Sequence, residues 1–254
     1  MCSHAKIWGV SASGRPELSE ANEGDAIVSD LRFGSEQARA EKRAQCIREI
    51  PWWYNPWGHL FGTTGIGLAV LVISVTRMKN VLPLEWLVIP LTIILANAYE
   101  WRVHKYVLHK RRWPFGEIFE KHTPMHHGIY VTGDMEIQDP RELRLVLIPA
   151  LGVLGVVLAM IPAALLLGTF VTPNTGWLFL VTSSLYMVTY ECTHLLYHVP
   201  KKSFLGRMRL VRTLMRHHAI HHDPKLMQTT NFNVTLPLFD WILGTMKRTH
   251  HDLP

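Results

Sequence analysis

Cysteine is scarce in this sequence, and what there is forms no pattern. Cys2, Cys46 and Cys192 are odd in number and make no CxxC pair, so neither a disulfide framework nor a thiolate zinc site is suggested. All three read as reduced thiols. No HExxH occurs, which removes the usual signature of a helical zinc hydrolase. The first 30 residues carry Glu17, Glu20, Glu23, Asp25 and Asp30 and no apolar core, so they do not read as a secretory signal. Neither an internal repeat nor a low-complexity tract is evident. The most informative absence is charge: from Leu145 to Tyr190 there is none, over 46 positions. A helix crossing the ~30 Å hydrocarbon core of a bilayer needs ~20 predominantly apolar residues. This gap alone holds two crossings and argues against a soluble globular enzyme.

What remains is a chain of 254 residues with a net charge of +6, a size that suits one domain or a small membrane bundle. The first 50 residues, rich in Ser, Gly, Ala and charge, are expected to form a flexible polar extension carrying one short amphipathic helix, Ser35 to Glu49. Residues 51–254 form the second expected unit. It opens on Pro51-Trp52-Trp53-Tyr54-Asn55-Pro56-Trp57, a Trp/Tyr cluster. Such a cluster directly before an apolar run favours an anchor at headgroup level over a plain surface turn.

Four crossings are expected: His59 to Thr76, Val81 to Tyr99, Leu145 to Val171 with bends at Pro149 and Pro162, and Trp177 to Thr193. Pro173-Asn174-Thr175-Gly176 reads as the turn between the last two. Eight Lys/Arg lie between Glu100 and Arg144 and six between Lys201 and Arg216, against two in the Arg77–Asn80 link. The positive-inside rule then places both large polar segments on the cytoplasmic face of a multi-pass membrane protein. The basic run Lys201, Lys202, Arg207, Arg209, Arg212 and Arg216 is expected to rest on anionic lipid heads or dock an acidic redox protein, or else to hold an acyl carboxylate or a phosphorylated donor. Nothing points to nucleic acid.

Eleven of the fifteen histidines fall between His104 and His222, all at helix ends or in polar segments of that single face. They form four clusters: His104/His109, His122/His126/His127, His194/His198 and His217/His218/His221/His222. Residues three and four apart share a helix face. His194 with His198, and His218 with His221 and His222, are therefore each expected to point at one centre. His104 and His109 are five apart, a spacing that lets each reach a different ion. Imidazole suits Zn, Cu, Fe and Ni, and about ten of them exceed what one ion takes, so two ions are the natural count. The alternatives are solvated helix-end histidines or a pH-sensing patch.

The order HxxxxH, HxxxHH, HxxxH, HxxHH around two helical hairpins resembles the fatty acid hydroxylase/sterol desaturase superfamily of integral-membrane di-metal enzymes. The fatty acid 2-hydroxylases are the nearest likeness, through Glu100-Trp101-Arg102-Val103-His104, Asp139 to Pro149, and Tyr190-Glu191-Cys192-Thr193-His194-Leu195-Leu196-Tyr197-His198. Asn231-Phe232 through Asp240-Trp241 to Gly244-Thr245 is similar to the superfamily as well, and the resemblance spans about 85–247. It implies an all-α membrane bundle with a His-rich cytoplasmic cap. Carried over by position, its catalytic metal ligands are His104, His109, His122, His126, His127, His194, His198, His218, His221 and His222. The second box departs from the 2-hydroxylase pattern, with three residues rather than two before its HH pair. No His-Pro-Gly-Gly haem motif occurs, so the resemblance implies an external electron donor, a cytochrome b5-like protein or a ferredoxin with its reductase.

The implied function is an O2-dependent di-iron monooxygenase that hydroxylates a lipid chain, most of all a fatty acyl chain at C2. Two iron ions, with zinc possible in isolated protein, and O2 as co-substrate come with that reading. A sterol or carotenoid hydroxylase or desaturase is the alternative within the superfamily. A non-redox membrane hydrolase or metal-handling protein is the alternative outside it. Glu100, Glu191 and Asp223 are candidates to orient ligand imidazoles or are plain helix-end carboxylates. His217 reads as accessory, His4 and His59 as bland, and His250 and His251 have no counterpart.

Overall fold

In a computed structural model, residues 34–248 are described. The expected flexible extension up to residue 33, with His4, and the C-terminal His250 and His251 lie outside them. The chain divides into two compact units, one ending at Tyr54 and the other beginning at Asn55. The described residues are helical, with no strand among them.

In the first unit, helix α1 spans Glu36–Glu49. Ser35 caps it, its hydroxyl oxygen accepting from Ala38 N at 3.3 Å.

The second unit is built on four long helices: α2 (Pro56–Arg77), α3 (Val88–Val103), α5 (Ala150–Phe170) and α6 (Pro173–His198). A short helix α4 (Gly116–Glu120) lies between α3 and α5, and α7 (Arg209–His221) and α8 (Leu238–Ile242) follow α6. The sequence explains the starts. Asn55 caps α2 through Gly58 N at 2.8 Å, with Pro56 in the first turn. Thr172 caps α6 in the same way, with Pro173 in the first turn. The expected turn at Pro173-Asn174-Thr175-Gly176 is therefore a helix start, because proline suits the first helical position as well as it suits a turn. Pro149 likewise stands before the first residue of α5 instead of bending it, while Pro162 lies inside the helix.

Among the described residues, two stretches are long and apolar enough to cross a membrane, Pro56–Arg77 and Pro140–Phe170. Their apolar side chains face outward: Leu68, Val72 and Ile73 on α2, and Leu151, Leu165, Leu166 and Phe170 on α5. Helix α6 is different because it is the central helix, with α2, α3 and α5 all packed against it. Surrounded by protein, it buries Thr182, Ser183, Ser184 and Glu191 along its length. Those polar residues lower its average hydropathy. Close approach needs small residues: a Cβ on Gly176 would meet the Ala164 carbonyl oxygen at 2.4 Å, and one on Gly67 would meet Val188 at 2.5 Å.

The helices pair as two hairpins tied together at both ends. At one end the α2–α3 link joins the α5–α6 link, with Asn174 bonded to Lys79 N and O at 3.1 and 2.8 Å. Buried Glu85 adds bonds from Asn174 Nδ2 (3.0 Å) and Thr172 Oγ1. At the other end the His59 ring donates to Ile148 O at 3.0 Å. His59, read as bland from the sequence, thus ties the start of α2 to the start of α5. This second end carries the histidine clusters.

Candidate metal centre

Ten histidines from four separate stretches meet in two groups of five. His104, His109, His122, His127 and His221 form the first; His126, His194, His198, His218 and His222 form the second. Within each group the candidate ligand nitrogens all lie within 4.8 Å of one another. All but His122 are buried, and His122 is half-buried.

Two π-helical segments make this partition. In His104–Leu108 and Lys121–His126 the backbone bonds run from residue i+5 to i, as His109 N to His104 O at 3.2 Å and His127 N to His122 O. The wider turn puts residues five apart on one face, and such bulges concentrate at functional sites. His104 and His109 consequently stack at 5.1 Å with planes 22° apart. The expectation that they serve different centres is corrected: both stand in the first group. In the second box, His122 and His127 enter the first group while His126 turns to the second. The fourth box is also divided. His218 and His222, four apart on α7, face each other at 3.0 Å between Nε2 atoms, whereas His221 turns to the first group. The expectation that all three share one centre fails because three and four residues forward lie on opposite sides of the vertical.

The backbone fixes the ring orientations. Nδ1–H donates to Phe232 O from His104, to Leu145 O from His126 (3.1 Å), to Met135 O from His198 (2.8 Å), to Thr230 O from His221 (2.9 Å) and to Tyr130 O from His222 (2.7 Å). Thr123 sets His109. Its hydroxyl proton goes to Leu108 O at 2.7 Å, so its oxygen accepts from His109 Nδ1–H at 3.2 Å. Each of these six rings carries its proton on Nδ1 and turns a bare Nε2 lone pair inward, the arrangement by which outer hydrogen bonds prepare imidazoles for metal.

His109 Nε2 and His221 Nε2 then stand 3.0 Å apart with a lone pair each and no proton between them. Other Nε2 pairs are similar: His104–His122 at 3.0 Å, His122–His127 at 3.2 Å and His126–His194 at 3.3 Å. With metal–nitrogen bonds of ~2.1 Å, two ligands on one ion lie ~3.0 Å apart at a right angle and ~3.4 Å apart at the tetrahedral angle. The spacings fall in that window, so each group fits a metal ion.

Burial also keeps the rings neutral. It pushes His104 down to about 4 and holds His122, His126, His127, His218, His221 and His222 well below the usual imidazole value, with neighbouring imidazoles adding to the effect. Apolar and aromatic walls surround the groups: Phe232 lies edge-on to His104, His109 and His221, and Tyr197 stacks on His218 at 4.6 Å.

The bonds of the three candidate carboxylates go to groups other than the imidazole rings. Glu100 accepts from Val234 N, Thr235 N (3.1 Å), Thr235 Oγ1 (2.6 Å) and Tyr186 OH, and Glu191 accepts from Ile148 N at 3.1 Å. Asp223 accepts from Lys225 N at 2.8 Å within its own turn. Buried Asp240, which sequence reasoning did not single out, accepts from Phe232 N, Asn233 N and Thr245 Oγ1 at 2.9, 2.7 and 2.6 Å. Its only sequence signal was its place in the Asn231–Thr245 ending. His217 is half-buried at the edge and belongs to neither group.

No curated protein and no solved structure matches the chain. A family model described as fatty acid hydroxylase matches residues 89–245, a span that holds all ten histidines. That stretch is more than half of the sequence, and it runs from α3 through the end of the α8 segment. The chain belongs to the fatty acid hydroxylase family.

Proposed function

We propose that the protein is a non-haem di-iron monooxygenase that hydroxylates a fatty acyl chain, at C2, using O2 and electrons from an external carrier. The ten histidines are its metal ligands, five to each ion. The observation that carries this reading is the 3.0 Å approach of His109 Nε2 to His221 Nε2, with an oxygen beside each ring's Nδ1. Two lone pairs facing each other in a buried site repel unless a cation lies between them.

Iron bound in such a site supplies O2 activation: one oxygen atom enters the C–H bond and the other leaves as water, with two electrons and two protons from the donor. The chain's own residues do the rest. The carbonyls of residues 130–145 and 230–232 hold the rings, and the neutral imidazoles leave the charge to the metal. Phe232, Tyr130 and Tyr197 keep water from the centre. An alkyl C–H bond has no polar handle, so position must come from an apolar path and from the lipid's head.

The membrane reading rests on length. Residues 83–103, a 3₁₀ turn continued by α3, rise ~34 Å at ~2.0 and ~1.5 Å per residue. The 26 residues of α6 rise ~39 Å. With α2 and α5 these make four crossings of a ~30 Å core, and Lys/Arg bias puts the histidine end on the cytoplasmic side. That end offers Lys201, Lys202, Arg207, Arg209, Arg212 and Arg216, all exposed, interleaved with exposed Phe204 and Leu210. Such a surface suits anionic headgroups, with an acidic electron carrier docking beside them.

The test is reconstitution of purified, iron-loaded protein with a reductase system and isotopically heavy O2, followed by lipid mass spectrometry. The reading expects acyl chains heavier by one labelled oxygen at C2. Labelled sterols or carotenoids would replace the substrate, and no O2 consumption with any lipid would end the oxygenase reading.

A further inference from the structure

Glu100 precedes His104 by four positions and Glu191 precedes His194 by three, yet both carboxylates bond backbone N–H groups of distant segments, and Glu100 also accepts from the Thr235 and Tyr186 hydroxyls. Glu100 holds Val234 N and Thr235 N. The same segment presents Phe232 O to His104 and Thr230 O to His221. Both of those histidines stand in the first group. Asp240 grips the segment from its other side through Phe232 N and Asn233 N. Glu191 holds Ile148 N at 3.1 Å, and the His59 ring holds the Ile148 carbonyl at 3.0 Å. Leu145, just before it, presents its carbonyl to His126 at 3.1 Å. His126 stands in the second group, with its Nε2 3.3 Å from that of His194.

We propose that Glu100 and Glu191 are positioning residues that act on the metal ligands through the backbone, Glu100 on the first histidine group and Glu191 on the second. The inference rests on the metal reading of the two groups. A carboxyl group offers two oxygens to neighbouring N–H and O–H donors. Extended backbone between helices has no hydrogen-bond ladder of its own. Left unpinned, the 230–235 segment, and the stretch at Ile148 where the single helical turn Leu143–Val146 ends, would let their carbonyls drift, and the imidazoles they hold would drift with them. Glu→Gln keeps the shape and turns one acceptor into an NH2 group facing a backbone N–H.

The test uses full-length protein loaded with zinc, titrated with a chelator while bound zinc is counted. For E100Q, one of the two zinc equivalents should weaken by ~10–100-fold, the usual cost of losing an outer-sphere partner. The other equivalent should keep wild-type affinity. E191Q should weaken the opposite equivalent. Assignment comes from double variants: H221A should abolish the E100Q-sensitive equivalent and spare the E191Q-sensitive one. D240N should copy E100Q, and H59Q should copy E191Q more weakly, so both arms can be read if a Glu variant fails to accumulate. If both equivalents weaken together in every variant, the carboxylates merely stabilise the fold and the proposal is overturned. Unchanged affinity in all of them overturns it as well. A wild-type protein that binds no zinc or iron refutes the metal reading itself, which is a distinguishable result.

Discussion

The Nε2 atoms of His109 and His221 face each other at 3.0 Å across 112 positions of sequence. Thr123 and the Thr230 carbonyl take the Nδ1 protons of the two rings, which leaves the inward nitrogens as the acceptor atoms. Replacing His221 or His194 by Ala should reduce hydroxylation to background, since each removes a ligand from one group. Membrane insertion should persist, because neither ring packs between the spanning helices' apolar faces. Turnover by both variants, measured with the reconstituted system, would count against this site.

Thr123 sets the tautomer of His109, so its hydroxyl matters more than its volume. T123V should weaken metal held by the first group by ~10–100-fold, and T123S should restore it. Equal affinity for T123V and wild type in a zinc competition assay would show that the tautomer is set elsewhere.

These relationships mark the boundary of what the sequence reveals. The four long helices follow from apolar runs and proline positions, and the ten histidines from spacing and resemblance. Their division into groups does not follow. Counting by three and four presumes α-helical geometry, and the π-helical turns at His104–Leu108 and Lys121–His126 change the period locally. Asp240 and the carbonyl partners were invisible for a different reason. A backbone carbonyl has no residue signature, and Asp240 meets Phe232 only after the chain folds back.

Acid should empty the site. Burial lowers the imidazole values in the folded protein below the 6.5 of a free ring, to about 4 for His104. The unfolded chain therefore binds these protons first, and stability of the metal-free protein is full above about pH 6.5 and falls as pH drops toward 4. Metal binding moves in the same direction, because protons compete for the same nitrogens. Unfolding midpoints and metal retention measured from pH 8 to 4 should both decline through that window. A flat profile would show that the rings do not titrate with folding.

Packing of α5 on α6 depends on Gly176, where a Cβ would meet the Ala164 carbonyl oxygen at 2.4 Å. G176A should destabilise the hairpin by about 1–3 kcal/mol, the usual cost of overpacking. Thermal unfolding in detergent measures this. A variant as stable as wild type would mean that the helices separate freely.

The basic surface from Lys201 to Arg216 should govern how strongly activity depends on salt. Exchanging Lys201, Lys202, Arg207 and Arg209 for Gln should reduce turnover with the natural donor and flatten its ionic-strength dependence, with metal content unchanged. These side chains are exposed and remote in chemistry from the imidazoles. Unaltered salt dependence would remove this face as the docking surface.

Elemental analysis of the purified protein, with one histidine changed at a time, tests the central claim most directly. Two metal ions per chain are expected, with one remaining in H109A and one, the other, in H194A. A single ion per chain, or the loss of both ions from either variant, would contradict two centres of five imidazoles each.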